Sequence, residues 1–292
     1  MALRITVDVF SGRPNPVIVL DDDAAREILA RTQPADRLKR GETKPPPESI
    51  LGYRGIVVEQ VETRPAEGLP DRFRIVDGKL LGSKLAHRPA DPGLEDFICG
   101  STGPLRLAQL DDDTMAMIRR LIEQRRGLEL KWPPIKWPTR VTCRCAPLYE
   151  PDWWNDGGQK QFNNNCYNYS TNHRTDTFAQ PGRASGQMYP HPIACSGVRP
   201  AAIRDDLIDS PRADNRCPDE GHLVALVVGP GWDYHWYRKG RNGRWTHKPG
   251  GTAVTNLDNS GNVITDPRTA DRGAYTDFCT FMTVMHGHIR LK

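Results

Sequence analysis

The run Lys131-Trp132-Pro133-Pro134-Ile135-Lys136-Trp137-Pro138 constrains this chain more than any other stretch. Proline at that density removes backbone donors and fixes φ, so neither a helix nor a central strand passes through it. It reads as a stiff, extended connector. Residues 131–141 therefore part an N-terminal region, 1–130, from a C-terminal region, 142–292. A chain of 292 residues suits two cores of ordinary size.

The N-terminal region reads as a small α+β domain. Leu3 to Phe10 alternates as a half-buried strand, and Ser11-Gly12-Arg13-Pro14-Asn15-Pro16 is dense in turn formers. Val17 to Leu20 is a second strand. Asp21-Asp22-Asp23 then supplies capping and favourable first-turn charge for a helix over 24–31. Similar grammar recurs at Asp96–Leu110, followed by Asp111-Asp112-Asp113 and a helix from Thr114 to about Arg126. This raises an internal strand-turn-strand-helix duplication. Strands are expected at 55–61 and 72–76, the second ending at an Asp77-Gly78 turn. Nothing in residues 1–128 converges on chemistry, so this region reads as an accessory domain that binds or shields a protein partner.

Several function classes fall away on composition. The net charge of +4 is spread along the chain without a basic block, which argues against nucleic acid. No apolar run approaches the roughly 20 residues of a membrane helix. The first residues read as a strand without a secretory apolar core, so the expected location is the cytoplasm, or the outside by a route without such a signal. Seven cysteines are present. Three disulfides and one free thiol would fit the odd number, but without a signal mostly reduced thiols are expected. Cys195 and Cys217 bracket an expected helix over 199–209 and would be a candidate pair. No set of four ligands has zinc spacing, and neither a metal nor another cofactor is expected.

Chemistry concentrates around Gln159-Lys160-Gln161-Phe162-Asn163-Asn164-Asn165-Cys166-Tyr167-Asn168-Tyr169. Asparagine caps a helix starting near Cys166. A thiol there feels the positive end of the helix, which favours thiolate. Backbone N–H groups and an upstream amide could hold an oxyanion; Gln161 is the first candidate, with Gln159 and Asn164 as alternatives. The contrary reading makes Cys166 a small buried hydrophobe. A base could come from Asp233-Tyr234-His235-Trp236-Tyr237-Arg238, a strand that follows the buried run His222–Gly229. Period-two alternation puts Asp233, His235 and Tyr237 on one face. His247, on a third strand, competes with Asp233, Asn256 and Asp258 to orient the His235 ring.

An Asn-Cys helix start, a glycine-bounded strand and a histidine strand, over residues 159–258, resemble the papain-like superfamily of cysteine hydrolases. The nearest branch in style is that of cell-wall endopeptidases and amidases. The combination Cys-Tyr-Asn-Tyr, His-Trp-Tyr-Arg and His-Lys-Pro-Gly looks like a bacterial branch. The resemblance implies a papain-like domain with a cysteine-bearing helix on an antiparallel sheet. It also implies Cys166 as nucleophile, His235 as base, His247 as third residue and Gln161 at the oxyanion. The expected function is hydrolysis of a peptide or peptidoglycan-type amide through a thioester, with Trp154, Tyr167 and Trp236 against the substrate. Two alternatives stay open: a non-catalytic ligand-binding module on the same scaffold, its tryptophans touching the ligand, and an acyltransferase or deamidase using the same Cys-His pair.

Overall fold

The computed structural model of the chain describes residues 2–39, 42, 49–61, 68–126 and 142–292. The connector at 131–141 and the proline loop at 44–47 lie outside them. The protein is of the mixed α+β class, with antiparallel sheets and a few helices. The chain divides into two compact units. Unit 1 holds Met1–Val9, Asn15–Pro47 and Tyr53–Glu129; unit 2 holds Phe10–Pro14, Glu48–Gly52 and Leu130–Lys292. Two short early segments, 10–14 and 48–52, thus belong to the same unit as the late residues.

In unit 1 the described strands form one antiparallel sheet. They are β1 (Ala2–Asp8), β2 (Val17–Asp21), β3 (Pro34–Arg37), β4 (Gly55–Gln60), β5 (Arg72–Val76), β6 (Lys79–Gly82) and β7 (Leu85–Pro89), in the order β2-β1-β4-β5-β6-β7-β3. β1 buries Leu3, Ile5 and Val7 at period two, and β2 buries Ile18 and Leu20 likewise. Asp77 and Gly78 join β5 to β6 with φ of 51° and 64°, the left-handed pair that a two-residue hairpin demands. Three helices belong here: α1 (Asp22–Thr32), α2 (Leu94–Cys99) and α3 (Asp112–Arg125). Asp111 caps α3, its carboxylate accepting from Thr114 N at 2.7 Å and Thr114 Oγ1 at 2.8 Å.

The internal duplication does not hold. Where strand-turn-strand was expected before α3, residues 94–108 form α2 and a 3-10 turn at Pro104–Ala108. Leu94, Glu95, Ile98 and Cys99 are buried while Asp96 and Phe97 between them are not, a helical pattern and not a period-two one.

In unit 2 the sheet order is β11-β10-β9-β12-β8, from β8 (Ile208–Asp209), β9 (His222–Gly229), β10 (Asp233–Lys239), β11 (Trp245–His247) and β12 (Asp277–Val284). Every residue of β9 and β10 is buried. The short helices α4 (Pro151–Trp154), α5 (Gln159–Asn163) and α6 (Cys166–Ser170) precede the longer α7 (Cys195–Arg204). α7 starts four residues before the expected Arg199 and carries Pro200 inside it; residues 208–209 pair as β8 instead of extending the helix. Tyr167 of α6 and Tyr234 and Trp236 of β10 share a core with Val224, Leu226 and Val228 of β9. β10 therefore turns one face into this core and leaves Asp233, His235 and Tyr237 on the other, as its alternation requires.

Thiol pairing differs from expectation. Cys143 is joined to Cys217, and Cys195 to Cys279, so Cys195 and Cys217 are not partners. Cys99, Cys145 and Cys166 are free.

Candidate functional site

Asparagine 165 builds the turn that presents Cys166. Its side-chain oxygen accepts from Tyr167 N at 3.0 Å and Asn168 N at 3.1 Å, while Asn168 Oδ1 accepts from Asn165 N at 3.0 Å. This reciprocal capping box satisfies donors that the first turn leaves orphaned. The Asn165 amide nitrogen then points elsewhere, donating to Gly12 O at 2.6 Å and Ala179 O at 2.9 Å.

Lys248 holds the approach to this turn. Its buried ammonium donates to Gln161 O at 2.5 Å, Asn164 O at 2.7 Å and Gly250 O at 2.7 Å. Three carbonyls around one cation offset its removal from water. The His-Lys-Pro-Gly run is thus a structural clamp on the segment before Cys166.

Cys166 is wholly buried. Burial pushes its thiol up, and the Asp233 carboxylate adds to that. Hydrogen bonds from Trp236 N and Ser11, and the Lys248 charge, oppose the shift without overcoming it. The thiol form is favoured, contrary to the expected thiolate.

His235 and His247 are brought together, His235 Nε2 lying 2.9 Å from His247 Nδ1. Their ring roles follow from their partners. Leu257 O can only accept, so His247 Nε2, at 2.9 Å, carries a proton. Burial holds His247 down to about 4, so near neutral pH its Nδ1 is an acceptor. His235 Nε2 therefore donates to it. Ser11 Oγ lies 2.5 Å from His235 Nδ1. Ser11 also bonds Cys166. Hydrogen bonds thus link Cys166, Ser11, His235, His247 and the Leu257 carbonyl in one buried chain.

The Ser11 segment is held at the Gly12 carbonyl and at the N–H groups of Ser11, Gly12 and Arg13. Gly12 O accepts from Asn165 Nδ2 at 2.6 Å and Gln180 Nε2 at 2.9 Å, with Tyr234 OH at 3.2 Å. Tyr189 OH donates to Gln180 Oε1 at 2.7 Å, which fixes the amide nitrogen toward Gly12. The buried Asp233 carboxylate accepts from Ser11 N at 2.5 Å, from Gly12 N and Arg13 N at 3.2 Å, and from Tyr275 OH at 2.6 Å. Burial raises its pKa, and these hydrogen bonds oppose the rise.

Other candidate residues are placed elsewhere. Gln161 spends its side-chain oxygen on Gly157 N at 3.1 Å, and Asn164 is tied to Lys160, Thr175 and Asp176; the convergent amides are those of Gln180 and Asn165. Gln159 is exposed. Asp258 accepts from Ser260 N, Asn262 N and Asp271 N within its own loop. Trp154 packs on Tyr169 and Val254, and Tyr167 on Trp236 with ring centroids 5.3 Å apart. All three expected substrate residues, Trp154, Tyr167 and Trp236, are at most 2% exposed, so they are core and offer a ligand no face. Sequence reading passed over Ser11 and Gly12 as turn formers. The only local signal for Gln180 and Asn165 was an amide in a glycine- or asparagine-rich approach.

No family model matches the chain, and no solved structure matches it. Over 143 residues it is 49% identical to "Insoluble matrix shell protein 1" of Ruditapes philippinarum, an alignment covering 48% of this chain and 91% of that protein. By its name that relative is an insoluble matrix protein of shell. It overturns the expectation of a cysteine peptidase or amidase, and of a bacterial thiol-protease branch. At this identity, over nearly the whole of the relative, the chain belongs to the same family as that insoluble shell-matrix protein.

Proposed function

We propose that the chain is a non-catalytic matrix module, built on a scaffold whose cysteine and histidines serve structure. The observation that carries this reading is the position of Gly12. Its carbonyl fills the place against Gln180, Asn165 and Tyr234 that an acyl substrate's oxygen would need, while Ser11 stands between Cys166 and His235. A buried thiol beside a carboxylate is a poor nucleophile. Kinship with an insoluble matrix protein supports the same conclusion.

Two disulfides accord with such a role, since they persist in oxidising compartments outside the cytoplasm. The module is therefore assigned to an extracellular, disulfide-tied material. The test is expression of the full chain in a secreting host. Expected are both disulfides in the recovered protein, its partition into an insoluble fraction, and no release of product from peptide or peptidoglycan. Turnover that is abolished by Cys166→Ala would overturn the reading.

A further inference from the structure

The segment Phe10–Pro14 is bound in unit 2 as a peptide ligand is bound. Its Phe10 ring lies 6.2 Å from the Trp232 ring, and the Arg13 guanidinium sits 4.4 Å over Phe10 and donates to Trp232 O at 2.8 Å. Its one carbonyl at the centre meets convergent side-chain donors. Its three successive N–H groups meet one carboxylate, the arrangement by which backbone captures an anion, here with the anion on the receiving side. Gly12 is required by close approach: a Cβ there would lie 2.5 Å from Tyr234 Cε2 and 2.6 Å from its Cζ.

We propose that Asn165, Gln180, Asp233, Tyr234 and His235 form a peptide-recognition site, and that Phe10–Pro14 is the ligand it holds in the closed state. The ligand class is a polypeptide segment in Phe-Ser-Gly-Arg-Pro order. Glycine is demanded by the Tyr234 ring, serine by His235, and the run of free N–H groups by Asp233. A segment of that chemistry on another chain competes for the same place. Main-chain hydrogen bonds supply the hold and the close-packed glycine supplies the selectivity. The proposal rests on the non-catalytic reading in one respect: the peptide is held, not cut.

The experiment uses the full chain carrying Gly12→Val, which cannot seat its own segment against Tyr234. A fluorescent peptide of residues 9–15 is titrated by polarisation, and Cys166 alkylation is followed by mass spectrometry. Gly12→Val is expected to bind the peptide with Kd on the order of 10–100 μM, and wild type at least about tenfold more weakly, since its own segment competes. Cys166 is expected to alkylate faster in Gly12→Val and to be protected again by the peptide. A peptide with valine for its glycine is expected not to bind. A folded Gly12→Val that binds nothing, or that binds the valine peptide equally, overturns the proposal. Should Gly12→Val fail to fold, the double variant Ser11→Ala, Arg13→Ala loosens the segment without added bulk, and the same readouts apply. Failure of both to fold would make the segment an obligatory part of the core and overturn the ligand reading. Peptide recovered bound but cleaved would leave the site standing and remove the non-catalytic function.

Discussion

Ser11 and His235 are 224 positions apart in sequence, and their Oγ and Nδ1 atoms lie 2.5 Å apart in a fully buried setting. The contact closes the hydrogen-bond chain that runs through His247 to the Leu257 carbonyl. Removing the hydroxyl leaves a buried ring nitrogen without that bond. Ser11→Ala is expected to cost about 1–3 kcal/mol of stability, read by denaturant unfolding. Nitrogen chemical shifts of His235 should change in the same variant. An unaltered tautomer signature would show that Ser11 does not set the ring.

Burial reverses the order of thiol reactivity expected from the sequence. Cys166 and Cys99 are buried, the latter's thiol pushed up to about 12 by burial and by Glu95 and Asp96, while Cys145 is exposed. Iodoacetamide applied to the native, unreduced protein is expected to label Cys145 first. Cys166 and Cys99 should react only as the chain opens. Peptide mapping over a time course checks this, and rapid labelling of Cys166 would contradict the buried site.

Acid is expected to weaken unit 2 well before unit 1 loses its own paired carboxylate. Burial holds His222 down to about 3, despite its 2.6 Å bond to Ser170 O, and holds His247 down to about 4. Both rings are neutral when folded but bind protons near pH 6.5 when unfolded. Between those values the unfolded state binds more protons, so stability rises with pH. The contribution is whole above about pH 6.5. It fades as pH falls and is gone below the folded pKa values. It is on the order of a few kcal/mol for the two rings together. Unfolding monitored at Trp232 and Trp236 across pH 7 to 4 should show the slope, and His222→Gln should flatten it.

Unit 1 carries a buried ion cluster with the opposite chemistry and a lower window. Asp8 meets Arg54 at 2.7 Å and Arg74 at 3.0 Å. Burial works against its charge, but the two guanidiniums outweigh it and hold the carboxyl down to about 2. Its contribution is present above the ordinary carboxylate range, near pH 4, and is lost as pH falls through about 2. Asp8→Asn removes the buried negative charge that faces Arg54 and Arg74 and is expected to destabilise unit 1 by about 3–5 kcal/mol. Hydrogen exchange of β1 and β4 amides would report it separately from unit 2.

Lys248→Met is expected to loosen the segment before Cys166, because it strips three buried carbonyls of their donor. A loss of about 2–4 kcal/mol follows from leaving such groups unpaired. Faster exchange at the α6 amides, with the sheet unaffected, is the expected pattern.

Local pattern was enough for much of the fold. Period-two alternation located β1, β2 and β10, the Asp77-Gly78 pair located a hairpin, and Asn165 located the start of α6. The same alternation put His235 and Asp233 on one face. The sequence leaves His247 as one of four candidates to orient the His235 ring; the adjacent strand brings it there, Tyr237 standing opposite His247 in the register. What local pattern could not supply was burial. Trp154, Tyr167 and Trp236 have the composition of a cleft but the environment of a core, and only long-range packing decides between the two. Ser11 and Gly12 were opaque for a further reason. Turn residues between two strands carry no local sign that a carboxylate more than two hundred positions away will take their N–H groups.

The two disulfides interlock in sequence, Cys195 lying between Cys143 and Cys217, and Cys217 between Cys195 and Cys279. The two covalent loops therefore overlap, sharing the span from Cys195 to Cys217. One backbone cut anywhere from 144 to 278 leaves both pieces fastened together. Within that span a protease would have to cut twice, or act together with a reductant, before it released a fragment. The disulfide-tied span stays in one covalent piece after a single cut within it.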